Sequence, residues 1–327
     1  MKDTDFLFLT SLLRARETLM LSKDKIDRML DARDADDASR TLLDCGYPDM
    51  SGMDAGLIEA ALQKRRSDVF HEIGSYEYAQ GLIDLFRIKY DYHNIKVLIK
   101  SAGVGADPAH LLSASGRIDA AELSDAFITG ERGDLPAAMA DVMDSAAGVL
   151  SRTGNPQLSD TEVDKAYFKE LISLSEGLGV NFITDYARLL VDSANLRILV
   201  RSIRTGRDVD FLRAALIDGG TASVDVIAAA FEEGAFNLFT GAALEEAARL
   251  GAEAAKGGTQ TLFELACDNA ALKYFDGTYF ISFGPEPVFA YLAKLEWEIT
   301  AIRMILTGKL TGISTDVIRE RLRECHV

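Results

Sequence analysis

One long amphipathic helix recurs three times along this chain, and any fold must place all three. It reads DYHNIKVLIK from Asp91 to Lys100, DSANLRILVR from Asp192 to Arg201, and EITAIRMILT from Glu298 to Thr307. Each copy opens on an acid and carries a base five residues on: Asp91 with Lys96, Asp192 with Arg197, Glu298 with Arg303. The apolar residues around them keep one phase. Val288, Leu292, Leu295, Ile299, Ile302 and Leu306 follow at alternating steps of four and three, which is one helix face. Phe182, Tyr186, Leu189, Leu196, Val200 and Ile203 match them, with Ser193 where Ile299 would fall, and Leu85, Ile88, Tyr92, Ile95 and Ile99 match again. The repeat is about a hundred residues, too long for a tetratricopeptide or HEAT unit.

A second element recurs upstream of each long helix. Ser22, Asp119 and Ser223 are N-cap residues by type, each followed four positions on by Ile26, Leu123 or Ile227 and then by Met29-Leu30, Ala126-Phe127 or Ala230-Phe231. A fourth start, Ser314 with Ile318 behind it, closes the chain. The six prolines, Pro48, Pro108, Pro136, Pro156, Pro285 and Pro287, fall between helical segments, as boundary markers do. Only DGTYFISFG, Asp276 to Gly284, has a β-like composition, and it reads as an extended loop entering the last long helix. These patterns predict an all-α chain of three related helical units, residues 1–104, 105–206 and 207–312, with a tail helix over 313–327.

Composition narrows the function. A 327-residue chain with 48% hydrophobic residues and 26% charged residues can bury a sizeable core. Its net charge of -16 repels nucleic-acid phosphates and anionic headgroups, so neither is an expected partner. No uncharged run exceeds the 11 residues from Gly234 to Leu244, and the N-terminus MKDTDFLFLT lacks the form of a signal peptide, so a cytoplasmic chain without direct lipid insertion is expected. Cys45, Cys267 and Cys325 lie far apart without CxxC spacing, and His71, His93, His110 and His326 form no ligating pattern. KGGTQT at Lys256 to Thr261 and the Gly177/Gly179 pair are not phosphate-binding loops, since neither follows a strand. No nucleophile elbow or paired catalytic constellation is present in the sequence. No catalytic residue, cofactor or metal is expected. Trp297 reads as a core-edge residue of the third long helix.

The C-terminal stretch FGPEPVFAYLAKLEWEITAIRMILTGKLTGISTDVIRERLRECHV, Phe283 to Val327, resembles the signature of the C subunit of the archaeal and bacterial A/V-type ATPases (ATP synthases), a family related to the d subunit of the vacuolar ATPase. The matching positions are Phe283 through Pro287, Tyr291, Glu298, Ile302-Arg303, Gly308-Lys309 and Ile318-Arg319. DYHNIKVLIK is similar to that family's Asp-x-x-Asn-hydrophobic-Lys segment, with Asn94, and Asn195 in the second copy, at the Asn position. The ending Cys325-His326-Val327 departs from the aromatic expected there. The resemblance implies a funnel of three homologous subdomains around a pseudo-threefold axis. It also implies a non-catalytic rotor adaptor that seats the central shaft subunits, of D and F type, on the proteolipid ring, peripherally membrane-associated through the complex. From the residues alone, a helical scaffold of an unrelated cytosolic assembly remains an alternative.

Helix geometry sharpens one expectation. At 100° per residue the apolar stripe of each copy spans roughly 40° to 120° from the motif acid, and the base falls at about 140°. The acid then sits on one edge of the stripe and the base on the other, a poor pairing within one helix. The spacing suits a head-to-tail ring in which the charges of different copies face one another, or face shared backbone groups, near the axis.

Overall fold

The computed structural model of the chain describes residues 2–133, 135–233 and 237–323. Among them all regular structure is helical. The first five α-helices are α1 (Leu7–Glu17), α2 (Lys23–Asp31), α3 (Ala35–Arg40), α4 (Ala55–Gly74) and α5 (Gln80–Val104). The next five are α6 (Ala120–Thr129), α7 (Ala137–Thr153), α8 (Pro156–Leu178), α9 (Asn181–Arg204) and α10 (Val209–Ala215). The last five are α11 (Val224–Glu233), α12 (Glu245–Ala255), α13 (Gln260–Lys273), α14 (Pro285–Leu310) and α15 (Thr315–Arg321). The all-α expectation holds. The ending Cys325-His326-Val327 lies outside the described residues, as does part of the expected tail 313–327.

The caps explain several starts. Ser22 accepts from the Lys25 amide at the head of α2, and Asp119 accepts from the Ala121 and Glu122 amides at the head of α6. Ser223 accepts from the Val226 amide at the head of α11. Ser314 precedes α15 without a side-chain cap bond. DGTYFISFG is not extended throughout: Asp276–Phe280 forms a 3-10 helix, and Ile281 behind it is extended. Gly284 then turns the chain at φ 140°, a region L side chains avoid, and Pro285 starts α14 where a missing N–H has no helical partner to lose.

The three recurring segments lie on α5, α9 and α14, the three longest helices, of 25, 24 and 26 residues. Helix α14 is the most enclosed. It packs against α1, α3, α4, α5 and α9, and 17 of its positions are buried, Trp297 among them. The whole expected stripe from Val288 to Leu306 is buried on it. The apolar side chains gather in two clusters. One joins α1 to α9 with α14, and the other lies between α9, α12 and α13 around Leu196, Leu212, Ile227 and Phe263. Cys45 and Cys267 are buried, free thiols.

Truncating this core should be costly. Ile302→Ala, at a fully buried site on α14, is expected to lose about 2–5 kcal/mol of stability in denaturant unfolding. Val104→Ala, on the exposed end of α5, should change it by less than about 0.5 kcal/mol. Equal effects would place the core elsewhere.

Candidate functional site

Each motif acid holds backbone that lies outside its own helix. Asp91 accepts from the amides of Arg117 (2.8 Å) and Ile118 (3.2 Å), just ahead of the Asp119 cap of α6. Asp192 accepts from the amides of Thr221 (3.0 Å) and Ala222 (3.2 Å), just ahead of the Ser223 cap of α11. Glu298 accepts from the amide of Leu21 (2.7 Å), just ahead of the Ser22 cap of α2. In all three places the carboxylate takes the N–H of the residue immediately before the N-cap. A buried amide at that position has no helical acceptor, and the carboxylate supplies one.

A second donor completes each site differently. Arg117 Nε lies 2.7 Å from Asp91 and reaches Glu170 with another nitrogen, while Tyr92 donates to Glu170. At Asp192 the donor is the Thr221 hydroxyl, at 2.5 Å. At Glu298 it is the phenol of Tyr47, 251 residues away in sequence, at 2.6 Å. Two glycines make the close approach possible. A Cβ on Gly116 would collide with the Asp91 carboxylate, and one on Gly220 with that of Asp192. The corresponding position in the third site is Leu19, and there the acid is Glu, whose extra methylene lets the backbone stand further off.

The asparagines act one turn further along. Asn94 donates to the Ser113 carbonyl and accepts from the Ser113 amide, at 2.9 and 2.8 Å. Asn195 does the same to Ile217, at 2.8 and 2.9 Å. Each clamps both polar groups of one residue in a non-helical segment. The third copy has Ala301 at this place, and the corresponding segment lies in α1, whose backbone is already paired.

The bases find acids on other helices. Lys96 pairs with Asp164 of α8 at 2.5 Å. Arg197 pairs with Glu264 and Asp268 of α13, at 2.5 and 2.8 Å. Arg303 forks onto Glu59 of α4, at 2.5 and 2.9 Å. Helix α4 leads into α5, α8 into α9, and α13 into α14. Each base therefore bridges to the helix that leads into the next long one, and Arg303 returns to the beginning.

Two features differ from the sequence expectation. The acids are not at the stripe's edge but fully buried, with Asp91 0%, Asp192 2% and Glu298 2% exposed. Long helices packed on several sides bury more than one stripe. No described bond joins a motif acid to a motif base: the acids take backbone amides, and the bases take Asp164, Glu264, Asp268 and Glu59. The sequence reading also does not anticipate Glu296, which lies beside the motif and accepts from Arg66, Lys89 and Tyr90, each at 2.6 Å. The clearest signal it passes over is the glycine three residues before the cap, present as Gly116 and Gly220.

Burial pushes the Glu298 and Asp91 carboxyls above the usual carboxylate range. At Asp91 the Arg117 guanidinium pulls back. At Glu298 no described ion pair reaches the carboxylate, and the Tyr47 phenol and Leu21 amide are the main groups opposing burial. Glu59 is desolvated too, yet the Arg303 fork holds it below its ordinary value.

These three corresponding sets of contacts define a class of all-helical protein in which successive long helices hold the entry to the next capped helix. A model of the ATP synthase (C/AC39) subunit family matches residues 9–321, and the chain belongs to that family. The resemblance carried by Phe283 to Val327 is thereby borne out. The C subunit of the V-type sodium ATPase of Enterococcus hirae is 25% identical over 97% of this chain and 98% of its own length. The C subunits of the A-type ATP synthases of Halorubrum lacusprofundi and Haloquadratum walsbyi are each 28% identical, over 81% and 83% of this chain and 81% and 82% of their own lengths.

Two substitutions test the site. Because Glu298 has a raised pKa when folded, its neutral form contributes stability fully at low pH, and that contribution is lost as pH rises through the raised value. Glu298→Gln can still accept from Leu21 and hydrogen-bond Tyr47 while staying neutral. Its stability relative to the parent should therefore improve as pH rises above the carboxylate's ordinary range in denaturant titrations. A flat difference would refute the assignment. Gly220→Ala should cost about 1–3 kcal/mol by crowding the Asp192 carboxylate. Gly177→Ala, which meets open space at a helical position, should not destabilise.

Proposed function

We propose that this chain is a rotor adaptor of an A/V-type rotary ATPase, seating the central shaft subunits, of D and F type, on the proteolipid ring so that they turn together. The observation that carries the reading is the family match over almost the whole chain, together with relatives named as the C subunits of a V-type sodium ATPase and of A-type ATP synthases. Its relatives are non-catalytic subunits of their complexes, and the chain has no catalytic role of its own. The alternative of a scaffold in an unrelated assembly falls with the family membership.

The contacts support a division into three helical units, 1–104, 105–206 and 207–312, followed by a tail from 313, arranged head to tail. Each long helix grips the segment entering the next unit through its acid and the next unit's penultimate helix through its base. The third long helix grips the first unit, so the series closes on itself. Such closure suits a part that must pass torque without shearing. Desolvation offsets much of the Coulomb gain of these pairs, so they set registry between units more than net stability. No described helix is long and apolar enough to cross a membrane, and the charge of -16 opposes anionic lipid, which supports peripheral association through protein partners.

Gently solubilised membranes test the reading: the tagged chain should bring down the proteolipid ring and shaft subunits. Purified chain should sediment with ring-containing vesicles and not with ring-free anionic ones at physiological salt. Recovery without ring or shaft, or binding to ring-free vesicles, would overturn it. Arg197→Glu sets like charges against Glu264 and Asp268. It should weaken recovery of shaft and ring together, by about tenfold if one buried charge pair's worth of registry is lost.

A further inference from the structure

A small hollow opens where the three longest helices come together, apart from the acid and base sites described above. It encloses about 120 Å³, between Phe86 and Lys89 of α5, Tyr167 of α8, Tyr186 of α9, and Phe289 and Glu296 of α14. The walls are largely apolar and aromatic, with Phe86 on Phe289 at 4.9 Å and Tyr186 on Phe289 at 5.5 Å. A helix, some 10 Å across, does not fit such a space. One side-chain head does, since a water takes about 30 Å³ of liquid.

Two of the polar side chains lining the hollow, Tyr167 and Tyr186, are short of acceptors. Lys89 places its ammonium 2.6 Å from Glu296 and 4.8 Å from the Tyr90 ring, and 38% of its side chain stays exposed. Glu296 already accepts from Arg66 and Tyr90 as well. The hydroxyls of Tyr167 and Tyr186 have no hydrogen-bond partner among the described residues. The cluster carries Arg66, Lys89 and Arg303 against Glu296 and Glu59, one positive charge in excess. Of the neighbouring groups, Arg197 and Arg323 against Glu264 and Asp268, and Lys96 against Asp164, are balanced, while Arg117 against Asp91 and Glu170 is one negative charge in excess. Burial and the nearby arginines also push the Lys89 ammonium below its ordinary value, so an arriving anion would relieve it. A cation would meet the opposite.

We propose that this hollow receives one carboxylate-bearing side chain of the central shaft, held by Lys89 Nζ and by the hydroxyls of Tyr167 and Tyr186. The assignment rests on the shaft-seating role proposed above. Three donors on one acceptor would give a charge-assisted contact, which fixes the shaft's rotational register as well as adding affinity.

The test titrates purified full-length chain with the purified shaft subunit pair of the same complex, by calorimetry. Lys89→Met leaves Glu296 paired with Arg66 and Tyr90, so the fold should persist by circular dichroism and thermal unfolding. Its affinity for the shaft pair should fall about tenfold, the loss of one charged hydrogen bond. Lys89→Arg should keep most of the affinity. The double variant Tyr167→Phe/Tyr186→Phe removes only two hydroxyls and should weaken binding severalfold, and it decides the matter should Lys89→Met unfold. Parent chain that binds the shaft pair, with Lys89→Met and the double variant binding within about twofold of it, overturns this seat and leaves the adaptor role standing. Parent chain that fails to bind the shaft pair overturns the adaptor role itself.

Discussion

A backbone N–H just ahead of a helix has no acceptor in that helix, and once buried it must find one or cost free energy. In this protein the acceptor comes from a carboxylate on a helix far away in sequence or in the preceding long segment: Asp91 for Arg117 and Ile118, Asp192 for Thr221 and Ala222, Glu298 for Leu21. Much else follows from that demand. The acid has to be buried, the incoming backbone has to come close, and glycine or a longer acid has to make the room. Gly116 and Gly220 answer one way and Glu298 with Leu19 the other. Where the incoming segment is non-helical, Asn94 and Asn195 take up its next unpaired residue, and where it is α1, alanine suffices.

The third site joins the N-terminal region to the last long helix. Several further links of the same long range join the two ends of the chain. Arg14 donates to the Thr278 carbonyl at 2.5 Å, Lys309 to the Leu30 carbonyl at 3.0 Å, and Arg319 meets Asp27 at 2.6 Å. Exposed pairs such as the last contribute little singly. Together with the packing of α14 on α1, α3 and α4, they leave the N-terminal segments docked on the final long helix. Loop-closure entropy rises only slowly with length, so a contact across more than 250 residues, such as that of Tyr47 with Glu298, is sustained once the core forms.

The half-buried bases play a different part from the buried acids. Lys96, Arg197 and Arg303 reach sideways to α8, α13 and α4, with Arg303 forming the best-directed pair. The proposed adaptor role needs the parts held in one register, and directional pairs at the flanks of long helices provide that where a featureless apolar seam would let them slide. The proposed seat at Lys89 belongs to the same logic, since a single directional contact resists rotation that shape alone would permit.

Sequence alone determined the helical class and the place of the long helices, because a 3.6-residue period and the capping residues Ser22, Asp119 and Ser223 are local signals. It also singled out the motif charges, since Asp91, Asp192 and Glu298 recur in one phase with Lys96, Arg197 and Arg303. Their partners were decided only in three dimensions. A helical wheel treats a helix as having one wet and one dry side, whereas α14 is enclosed by neighbours over most of its circumference, which takes Glu298 from the stripe's edge to the interior. Nothing in the local pattern links Glu298 to Tyr47 or Arg303 to Glu59, because those partners lie more than 240 residues away and meet only when the chain closes on itself. Glu296 and Lys89 stayed hidden for the same reason: on the sequence each is one charge among many, and only the crossing of α5 and α14 makes them a pair.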